Sequence, residues 1–298
     1  MKNILIIGCG LIGSSLIRAI INKKIAEKVF VYEKSKANIL KIKRLKIQCI
    51  ITNDLEKIIP MQDLIIFCTP MSEYEKIILK INKYLSQKTI ITDVGSSKEK
   101  ISMIINKRLK KGISWTSSHP ISGSEVSGPE NGYKDLFLNK WCILIKDRNS
   151  NNKHLNSLSK FWKRIGANVT TMDSHKHDVI FSMTSHLPHL IAYNLVKTAT
   201  DFESLKKYDL IKYSAGGLRD FSRIAASNEV MWRDIFFNNS SNISKAIDLF
   251  IKNLKSFKKD IKNKDNKSLI YKLIETKKVR KKIIKLKQDI NKPDFGRN

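Results

Sequence analysis

The chain of 298 residues is long enough for one large domain or two ordinary ones, and its 42% hydrophobic content can fill extensive cores, as in a globular protein. The formal net charge of +29 raises the alternative of a nucleic-acid-binding protein. However, the basic residues are mostly lysines spread along the whole chain, without clusters of arginine and aromatic residues. We therefore expect no nucleic-acid partner, although the positive field would attract an anionic substrate.

The four cysteines lie in or beside apolar runs, without a C-x-x-C pair or histidines at zinc-ligand spacing. Reduced, buried cysteines are typical of a cytosolic protein, so we expect a cytoplasmic location. The start resembles a lipoprotein signal, but the uninterrupted apolar run from Ile4 to Ile7 is shorter than the about 7 residues that a secretory segment needs. No run approaches the about 18 apolar residues of a membrane span, and we expect no membrane partner.

Short β-type runs alternate with helical patterns from residue 3 to about residue 146, which is typical of βαβ units and a mainly parallel, doubly wound sheet. The predicted strands are NILIIG, VFVYE, IQCIIT, DLIIFCTP, TIITDVG, SWTSSHP and WCILIK. After the polar connector KDRNSNNK, one more strand, NVTTM, precedes long helical patterns that continue into the lysine-rich end. The pattern predicts an α/β domain over residues 1–147 and an all-α domain over residues 148–298.

The first predicted strand runs into a glycine-rich turn, IIGCGLIG, which opens a helical pattern. Gly8, Gly10 and Gly13 have the G-x-G-x-x-G spacing: the first permits a tight turn, the second lets the backbone approach a pyrophosphate, and the third allows close helix packing. Free N–H groups at the helix start, near Leu11 and Ile12, can bind the phosphates. A glycine turn without a ligand is the alternative if the spacing is considered alone.

Glu33 ends the second predicted strand, where dinucleotide-binding folds place a carboxylate against the ribose hydroxyls. The carboxylate favours NAD over NADP because it repels a 2′-phosphate. Lys34 and Lys36 follow directly, and a basic neighbour can accommodate that phosphate, so NADP stays the less favoured alternative. Thr69 and Pro70, at the end of a later strand, lie on the same carboxyl edge. We therefore predict an NAD-binding Rossmann domain.

The segment SSHPISGSE places His119 among serines, which raises the alternative of a hydrolase with a serine nucleophile. No G-x-S-x-G elbow supports that alternative, and the segment follows a predicted strand of the dinucleotide-binding sheet. Beside a redox cofactor, a neutral histidine is suited to accept the proton of a substrate hydroxyl. We therefore predict that His119 is the catalytic base and that Ser117, Ser118 and Ser122 are turn residues.

Five motifs in chain order resemble the prephenate/arogenate dehydrogenase family of tyrosine biosynthesis: GCGLIG, DVGSSK, SSHPISGSEVSGPENGYKDLF, HDVIFSMTSHLPHLIAYNLV and SAGGLRDFSRIAASNEVMWRDIF. The resemblance extends from the chain start to about residue 250. It implies an oxidative decarboxylation in which NAD accepts a hydride from the carbon bearing the ring hydroxyl, while the ring carboxylate leaves as carbon dioxide. It also implies that His119 accepts a hydrogen bond from that hydroxyl and that Ser96 bridges the histidine and the nicotinamide.

The resemblance also identifies residues that would bind the substrate. Arg223 is expected to bind a substrate carboxylate, since the guanidinium fork matches a carboxylate; on charge alone Arg219 and Arg233 are alternatives. Glu125 and Arg219 are expected to pair at the pocket mouth. The other expected substrate contacts are Ser124, His189, Asp220 and Trp232.

His186 and His189 have a spacing that could hold a metal, but no third ligand follows at a recognisable distance, and we expect no metal site.

Ser214 and Ala215 stand where the family often has an extra glycine, which leaves the choice between prephenate and arogenate open. We predict an NAD-dependent prephenate dehydrogenase, with an arogenate (cyclohexadienyl) dehydrogenase or a hydroxyacid-type Rossmann dehydrogenase as alternatives. The small-molecule substrate is expected to lie between the Rossmann domain and a helical domain that forms a homodimer.

Overall fold

A five-stranded parallel sheet in the order β3-β2-β1-β4-β5 forms the centre of the N-terminal half, in a computed structural model that describes residues 1–148 and 150–286. The strand order reverses between β1 and β4, the type of switch point at which open α/β sheets bind ligands. The strands are β1 (Asn3–Ile7), β2 (Lys28–Tyr32), β3 (Ile50–Thr52), β4 (Leu64–Phe67), β5 (Ile90–Asp93), β6 (Ser118–Pro120), β7 (Trp141–Ile145) and β8 (Asn168–Met172).

Helices alternate with strands in the first half of the chain and follow one another in the second half. The predicted order, a Rossmann-type α/β domain followed by an all-α domain, is therefore confirmed. The helices are α1 (Leu11–Asn22), α2 (Lys36–Arg44), α3 (Leu55–Ile58), α4 (Tyr74–Ile81), α5 (Glu99–Arg108), α6 (Asn152–Ile165), α7 (Ser174–Phe181), α8 (Leu187–Lys206), α9 (Gly216–Ala225), α10 (Glu229–Asn238), α11 (Ser240–Asn263) and α12 (Asn266–Lys285).

Both faces of the parallel sheet are buried, because successive side chains of each strand enter opposite cores. Ile4 and Ile6 of β1 lie in a core shared with α1 and α6, whereas Leu5 lies in a core shared with α4 and α5. Trp232 and Ile235 of α10 belong to the second core. The helical half therefore packs directly on the α/β half, which brings helical side chains to the sheet.

The segment predicted as the strand SWTSSHP is divided between two sheets. Trp115 forms a parallel bridge with Ile91 of β5, and the Thr116 N–H donates to the Ile91 carbonyl. The chain then leaves β5, and β6 pairs antiparallel with β7, which pairs in parallel with β8. His119 thus lies within a strand of a small second sheet, whereas we predicted that it emerges from the end of a strand of the main sheet.

The connector near residue 147 lies between β7 and α6, inside the N-terminal half. β8 pairs with β7 along its whole length, and α6 places Leu158 and Trp162 in the first core. The segment from α6 through β8 therefore packs with the strands that precede it. We propose that the domain boundary lies after Met172, and not near residue 147 as the change in sequence pattern predicts.

The helical half begins with α7 and α8, which are separated by a π-helical turn over Ser182–His186. Such turns occur frequently at functional sites. At the other end of the chain, the lysine-rich segment predicted to be helical forms α11 and α12, and its residues beyond Leu286 lie outside the described part. Within residues 1–148 and 150–286, no helix has both the length and the apolar composition needed to cross a membrane.

Candidate active site

The glycine turn between β1 and α1 has the geometry that close approach to a dinucleotide requires. Gly8 has a φ of +92°, and a Cβ there would lie 2.8 Å from the Thr69 side chain. A Cβ at Gly13 would lie 2.2 Å from the Gly8 carbonyl oxygen, whereas a Cβ at Gly10 would meet nothing within 4 Å. The first and third glycines are thus required by packing, and the second leaves open space beside the start of α1.

The start of α1, at Leu11 and Ile12, offers backbone N–H groups to an anion. No acidic residue lies in the first turn, and no side chain of the described residues caps it. The Thr69 hydroxyl oxygen, next to the same turn, is buried without a hydrogen-bond partner among the described residues. Pro70 follows it, directly before the short helix Met71–Glu73. A buried hydroxyl without a protein partner is one that an ordered water or a ligand group can satisfy.

The Glu33 carboxylate is held in place at the end of β2. Its two oxygens accept hydrogen bonds from the backbone N–H of Cys9 and of Ser35, each at 2.8 Å. Lys34 Nζ lies 2.8 Å from the Glu73 carboxylate, and this hydrogen bond raises the pKa of Lys34 and lowers that of Glu73. Because Lys34 is paired, its charge is partly offset, and the oriented Glu33 carboxylate fits the ribose hydroxyls of NAD better than a 2′-phosphate.

His119 is buried in β6, with 7% of its surface exposed. Its Nδ1 lies 2.8 Å from Nε2 of His177, and its ring centroid lies 4.8 Å from that of Phe181. Burial, followed by the proximity of His177 and Lys98, holds the pKa of His119 well below its usual value of 6.5. The ring is therefore neutral at pH 7, as a proton acceptor must be.

His177 and Asp178, at the start of the helical half, continue the contact from His119. His177 Nδ1 lies 2.8 Å from an oxygen of the Asp178 carboxylate, which also accepts hydrogen bonds from the backbone N–H of Lys98 and of Glu99, each at 2.9 Å. Burial lowers the pKa of His177, and the Asp178 contact offsets only part of that effect. Neither residue had a role predicted from the sequence. The available signal was a His-Asp pair on the buried side of a helix within one of the recognised motifs.

A buried ion pair lies beneath His119. Lys98 Nζ is 2.7 Å from the Asp93 carboxylate and also donates to the Ser118 carbonyl at 2.8 Å, and both charged side chains are fully buried. Because an unpaired buried charge is costly, the pair fixes the loop after β5 against β6. In this DVGSSK segment, only Ser96 had a role predicted from the sequence.

The serines before His119 are structural. The Ser118 hydroxyl donates to the Asp93 carbonyl at 2.7 Å, and the Ser117 hydroxyl accepts from the Trp115 indole at 2.6 Å. The prediction that they are turn residues is wrong, because both are buried where the chain passes between two sheets. The oxygen of Ser122, beyond the strand, is buried with no hydrogen-bond partner among residues 1–148 and 150–286.

A second aromatic group is formed by α8 and α10. The His189 and Trp232 rings stack with centroids 3.9 Å apart and planes inclined by 24°. His189 Nδ1 lies 2.9 Å from the Ser185 carbonyl and donates to it. The indole N–H of Trp232 is buried and has no hydrogen-bond acceptor among the described residues, so it is available to a ligand.

His186, at which we expected no metal, is fully buried at the end of the π-helical turn. Burial lowers its pKa to about 4, and its Nδ1 accepts from the Asn239 amide at 3.1 Å. Its Nε2 is buried without a hydrogen-bond partner among the described residues, so the ring is only half satisfied. The backbone of Ser96 partly offsets the lowering of the pKa of His186, which places the loop after β5 beside this histidine. Ser96 itself is half-buried, and its bridging role stays a prediction.

The ion pair that we expected for Glu125 forms with a different arginine. Arg223 Nη1 lies 3.5 Å from the Glu125 carboxylate, with 44% and 31% of the side chains exposed. Glu125 was predicted to pair with Arg219, which lies one turn earlier on α9 and is exposed. The loop after β6 reaches the later turn of this helix, and sequence separation could not indicate which turn it meets.

The other predicted substrate contacts differ in their surroundings. Arg233 lies 2.7 Å from the Asp234 carboxylate, which accepts from the Ser72 backbone N–H at 2.8 Å. Arg233 therefore supports the docking of α10 on the loop after β4. Ser124 is exposed beside Glu125, and Asp220 is half-buried on α9.

Comparison with known proteins agrees with this geometry. Residues 16–171 match the family model described as the prephenate dehydrogenase nucleotide-binding domain, and residues 173–275 match that described as its dimerization domain. A cyclohexadienyl dehydrogenase of Zymomonas mobilis is 32% identical over 279 residues, which is 94% of this chain and 95% of the relative. A prephenate dehydrogenase of Bacillus subtilis is 32% identical over 62% of this chain and 50% of its own length.

Solved structures show the same relationship. Prephenate dehydrogenase from Aquifex aeolicus, in complex with hydroxyphenyl propionate and NAD+, is 33% identical, with a TM-score of 0.88 over 95% of this chain and 98% of that one. Synechocystis arogenate dehydrogenase, at 22% identity over 94% and 99% of the chains, has the same fold with a TM-score of 0.76. The chain therefore belongs to the prephenate dehydrogenase family of NAD-dependent dehydrogenases, as its motifs predicted.

Proposed function

We propose that the chain is an NAD-dependent prephenate dehydrogenase, which converts prephenate into 4-hydroxyphenylpyruvate and carbon dioxide in tyrosine biosynthesis. The observation that carries this proposal is the His119 ring. It is buried, neutral at pH 7 and held at Nδ1 by His177, whereas no side chain of the described residues hydrogen-bonds to its Nε2. A neutral histidine with one free nitrogen is equipped to accept a hydrogen bond from a substrate hydroxyl.

The residues around the glycine turn would hold NAD, which supplies the hydride acceptor when bound. Gly8, Gly10 and Gly13 let the backbone come close to a pyrophosphate, and the N–H groups at Leu11 and Ile12 would bind its charge. Glu33 would accept hydrogen bonds from the adenosine ribose. Thr69, Pro70 and Ser96 lie in loops that follow β4 and β5 and would line the remainder of the cofactor site.

His119 would act on the ring hydroxyl of prephenate. By accepting a hydrogen bond at Nε2, it raises the electron density on the carbon that loses the hydride. Departure of the ring carboxylate as carbon dioxide leaves an aromatic ring, and this gain of aromaticity drives the reaction. The chain's own residues therefore need to fix the ring and polarise one hydroxyl, which is the usual role of the protein in a cofactor-dependent enzyme.

Arg223 would bind a substrate carboxylate. Its guanidinium already faces the carboxylate of Glu125 at 3.5 Å, and this exposed pair is weak enough to be exchanged for a substrate group. The stacked rings of His189 and Trp232 would form one wall of the pocket. Ser124, Arg219 and Asp220 would complete the substrate site near its mouth.

Arogenate is the second candidate substrate. When a substrate carboxylate takes Arg223, the carboxylate of Glu125 becomes available to an ammonium group, and arogenate has one where prephenate has a keto oxygen. A cyclohexadienyl dehydrogenase is also among the relatives matched over nearly their full length. The chain would then produce tyrosine directly.

We also propose that the helical half forms a homodimer. Large apolar side chains of α11 and α12 are more than half exposed, including Leu254 at 56%, Ile261 at 64% and Tyr271 at 66%. Exposed apolar surface of this kind marks an interface. Analytical ultracentrifugation should therefore give twice the mass of the chain, and a monomer at micromolar concentration would contradict the proposal.

A spectrophotometric assay that crosses prephenate and arogenate with NAD and NADP tests the function. We expect NADH formation with prephenate, with release of carbon dioxide and 4-hydroxyphenylpyruvate in equal amounts. Faster turnover of arogenate would identify the second candidate. NADH formation from a hydroxyacid and not from either ring substrate would support the hydroxyacid-type alternative. Salt-dependent retention of DNA without any cofactor reduction would contradict the enzyme assignment.

A further inference from the structure

Three buried side chains in hydrogen-bonded sequence connect the proposed base with the first half of α7. His119, His177 and Asp178 have exposed fractions of 7%, 0% and 1%, and the two hydrogen-bonded distances between them are both 2.8 Å. The His177 ring also stacks on Phe181, with centroids 4.5 Å apart and planes inclined by 29°. The three groups are thus fixed by packing as well as by hydrogen bonds.

We propose that His177 and Asp178 are positioning residues that hold His119 in the tautomer protonated at Nδ1, which leaves the lone pair of Nε2 free for the substrate hydroxyl. This inference deepens the proposed function and rests on it for the identity of the hydroxyl. The tautomer itself is a property of the free protein and can be measured without any substrate.

The direction of the hydrogen bonds follows from Asp178. Its carboxylate can only accept, and the backbone N–H groups of Lys98 and Glu99 already donate to it at the start of α5. His177 Nδ1 must therefore carry a proton and donate it to Asp178. Since neutral imidazole has one proton, His177 Nε2 is an acceptor, and the proton in the bond to His119 must belong to Nδ1 of His119.

The surrounding elements keep this arrangement in register. The side-chain amide of Asn239, at the start of α11, donates to the Asp178 carbonyl at 2.8 Å and so anchors α7. On the other side, Lys98 Nζ donates to the Ser118 carbonyl, directly before His119 in β6. The histidines therefore meet between two independently anchored elements, which holds the base in one orientation before the substrate binds.

Asp178→Asn should reverse the direction of these bonds without changing the shape of the site. The amide oxygen should take the position of Oδ2, which accepts from the Glu99 N–H and already lies 3.2 Å from the Lys98 nitrogen, so it can serve both backbone N–H groups, whereas the opposite orientation would leave Glu99 without an acceptor. The new amide NH2 would then point to His177 Nδ1, which would have to accept. His177 would carry its proton on Nε2 and donate to His119 Nδ1, so His119 would be protonated at Nε2 and could not accept from a hydroxyl. The same substitution of aspartate by asparagine in the catalytic triad of a serine protease places the histidine proton on the wrong nitrogen and lowers kcat strongly.

Nuclear magnetic resonance of the full-length protein labelled with nitrogen-15 histidine tests the inference directly, because the two neutral tautomers give different ring nitrogen shifts. The His119 signal is assigned by its loss in His119→Asn. We expect the Nδ1-protonated form in the native chain and the Nε2-protonated form in Asp178→Asn. An Nε2-protonated His119 in the native chain would overturn the inference, as would an unchanged tautomer in the variant.

Kinetics provide the second measurement. Asp178→Asn should lower kcat by at least about 100-fold, which is the scale of a lost general-base contribution, with nearly unchanged affinity for NAD. His175→Asn is the matched control, since this histidine lies on the same helix but is exposed and contacts Glu99 on the surface; its kcat should stay at the native value. Native kcat in Asp178→Asn would overturn the inference. Absence of any activity in the native chain would instead reject the proposed function, and the tautomer measurement would still decide this one.

Discussion

The buried group around His119 and the exposed pair of Glu125 and Arg223, our proposed base and pocket mouth, use polar side chains in opposite ways. His119 and its two partners are at most 7% exposed and have their mutual hydrogen bonds formed in the free protein. Glu125 and Arg223 at the mouth are 31% and 44% exposed and 3.5 Å apart. An exposed pair of this kind contributes about 0–1 kcal/mol, so it can be exchanged for a ligand at little cost. We infer that the interior sets the rate of the reaction and that the mouth sets substrate affinity.

Removing the base should give the largest effect. In His119→Asn we expect kcat to fall by about 100-fold to 10,000-fold, because the ring hydroxyl loses its acceptor. NAD affinity, measured by fluorescence titration, should be nearly unchanged because the glycine turn is intact. Retention of native turnover would show that the histidine is structural. It would contradict the inference that the buried residues set the rate of the reaction.

The glycine turn offers a pair of substitutions that separates folding from binding. Gly13→Ala would place a Cβ 2.2 Å from the Gly8 carbonyl and should lower the free energy of unfolding by about 1–3 kcal/mol, measured by denaturant titration. Gly10→Ala meets open space, so stability should be retained while the dissociation constant for NAD rises. Equal effects of the two variants on stability would contradict the distinct roles that we give to these glycines.

Removing the arginine at the mouth should chiefly change substrate affinity. We expect Arg223→Ala to raise KM about 10-fold to 100-fold, which corresponds to a lost hydrogen bond to a charged group, with a smaller change in kcat. Arg219→Ala, on the same helix, is the comparison variant. An unchanged KM in Arg223→Ala combined with an increase in Arg219→Ala would move the carboxylate site by one turn of α9.

The pH dependence should show the smallest effect. The proposed base would act in its neutral form, and burial keeps the pKa of His119 well below 6.5, so protonation would disable it only in more acidic solution. We therefore expect kcat/KM to stay constant as pH falls from 7 to about 6.5 and to decrease only at lower pH. A decrease in kcat/KM centred at or above pH 6.5 would mean that water reaches His119. The contrast between a buried histidine and an exposed ion pair would then fail.

Short-range patterns in the sequence predicted the framework of this molecule. The glycine spacing and the carboxylate of Glu33 could be recognised because one strand, one turn and one helix determine their geometry. The α/β domain followed by helices could be predicted because the period of the hydrophobic pattern changes along the chain. His119 was identified from its position after a predicted strand and from a family motif.

Long-range pairing is what the sequence did not predict. His177 is 58 residues from His119 along the chain, and no local pattern indicates that their rings meet. The same holds for the choice of Arg223 over Arg219 as the partner of Glu125. β8 was predicted as a strand, but its pairing with β7, which moves our proposed domain boundary to the end of β8, depends on how α6 packs. These features depend on the packing of elements and not on their identity.

Single-turnover kinetics at saturating NAD and increasing prephenate concentration test the central claim most directly, with His119→Asn and Arg223→Ala measured side by side. We expect the rate in Arg223→Ala to approach the native value as prephenate concentration rises, whereas the rate in His119→Asn should stay at least about 100-fold lower at any concentration. The opposite pattern, with His119→Asn recovering at saturation and Arg223→Ala remaining slow, would contradict the assignment of chemistry to the buried histidine and of binding to the exposed arginine.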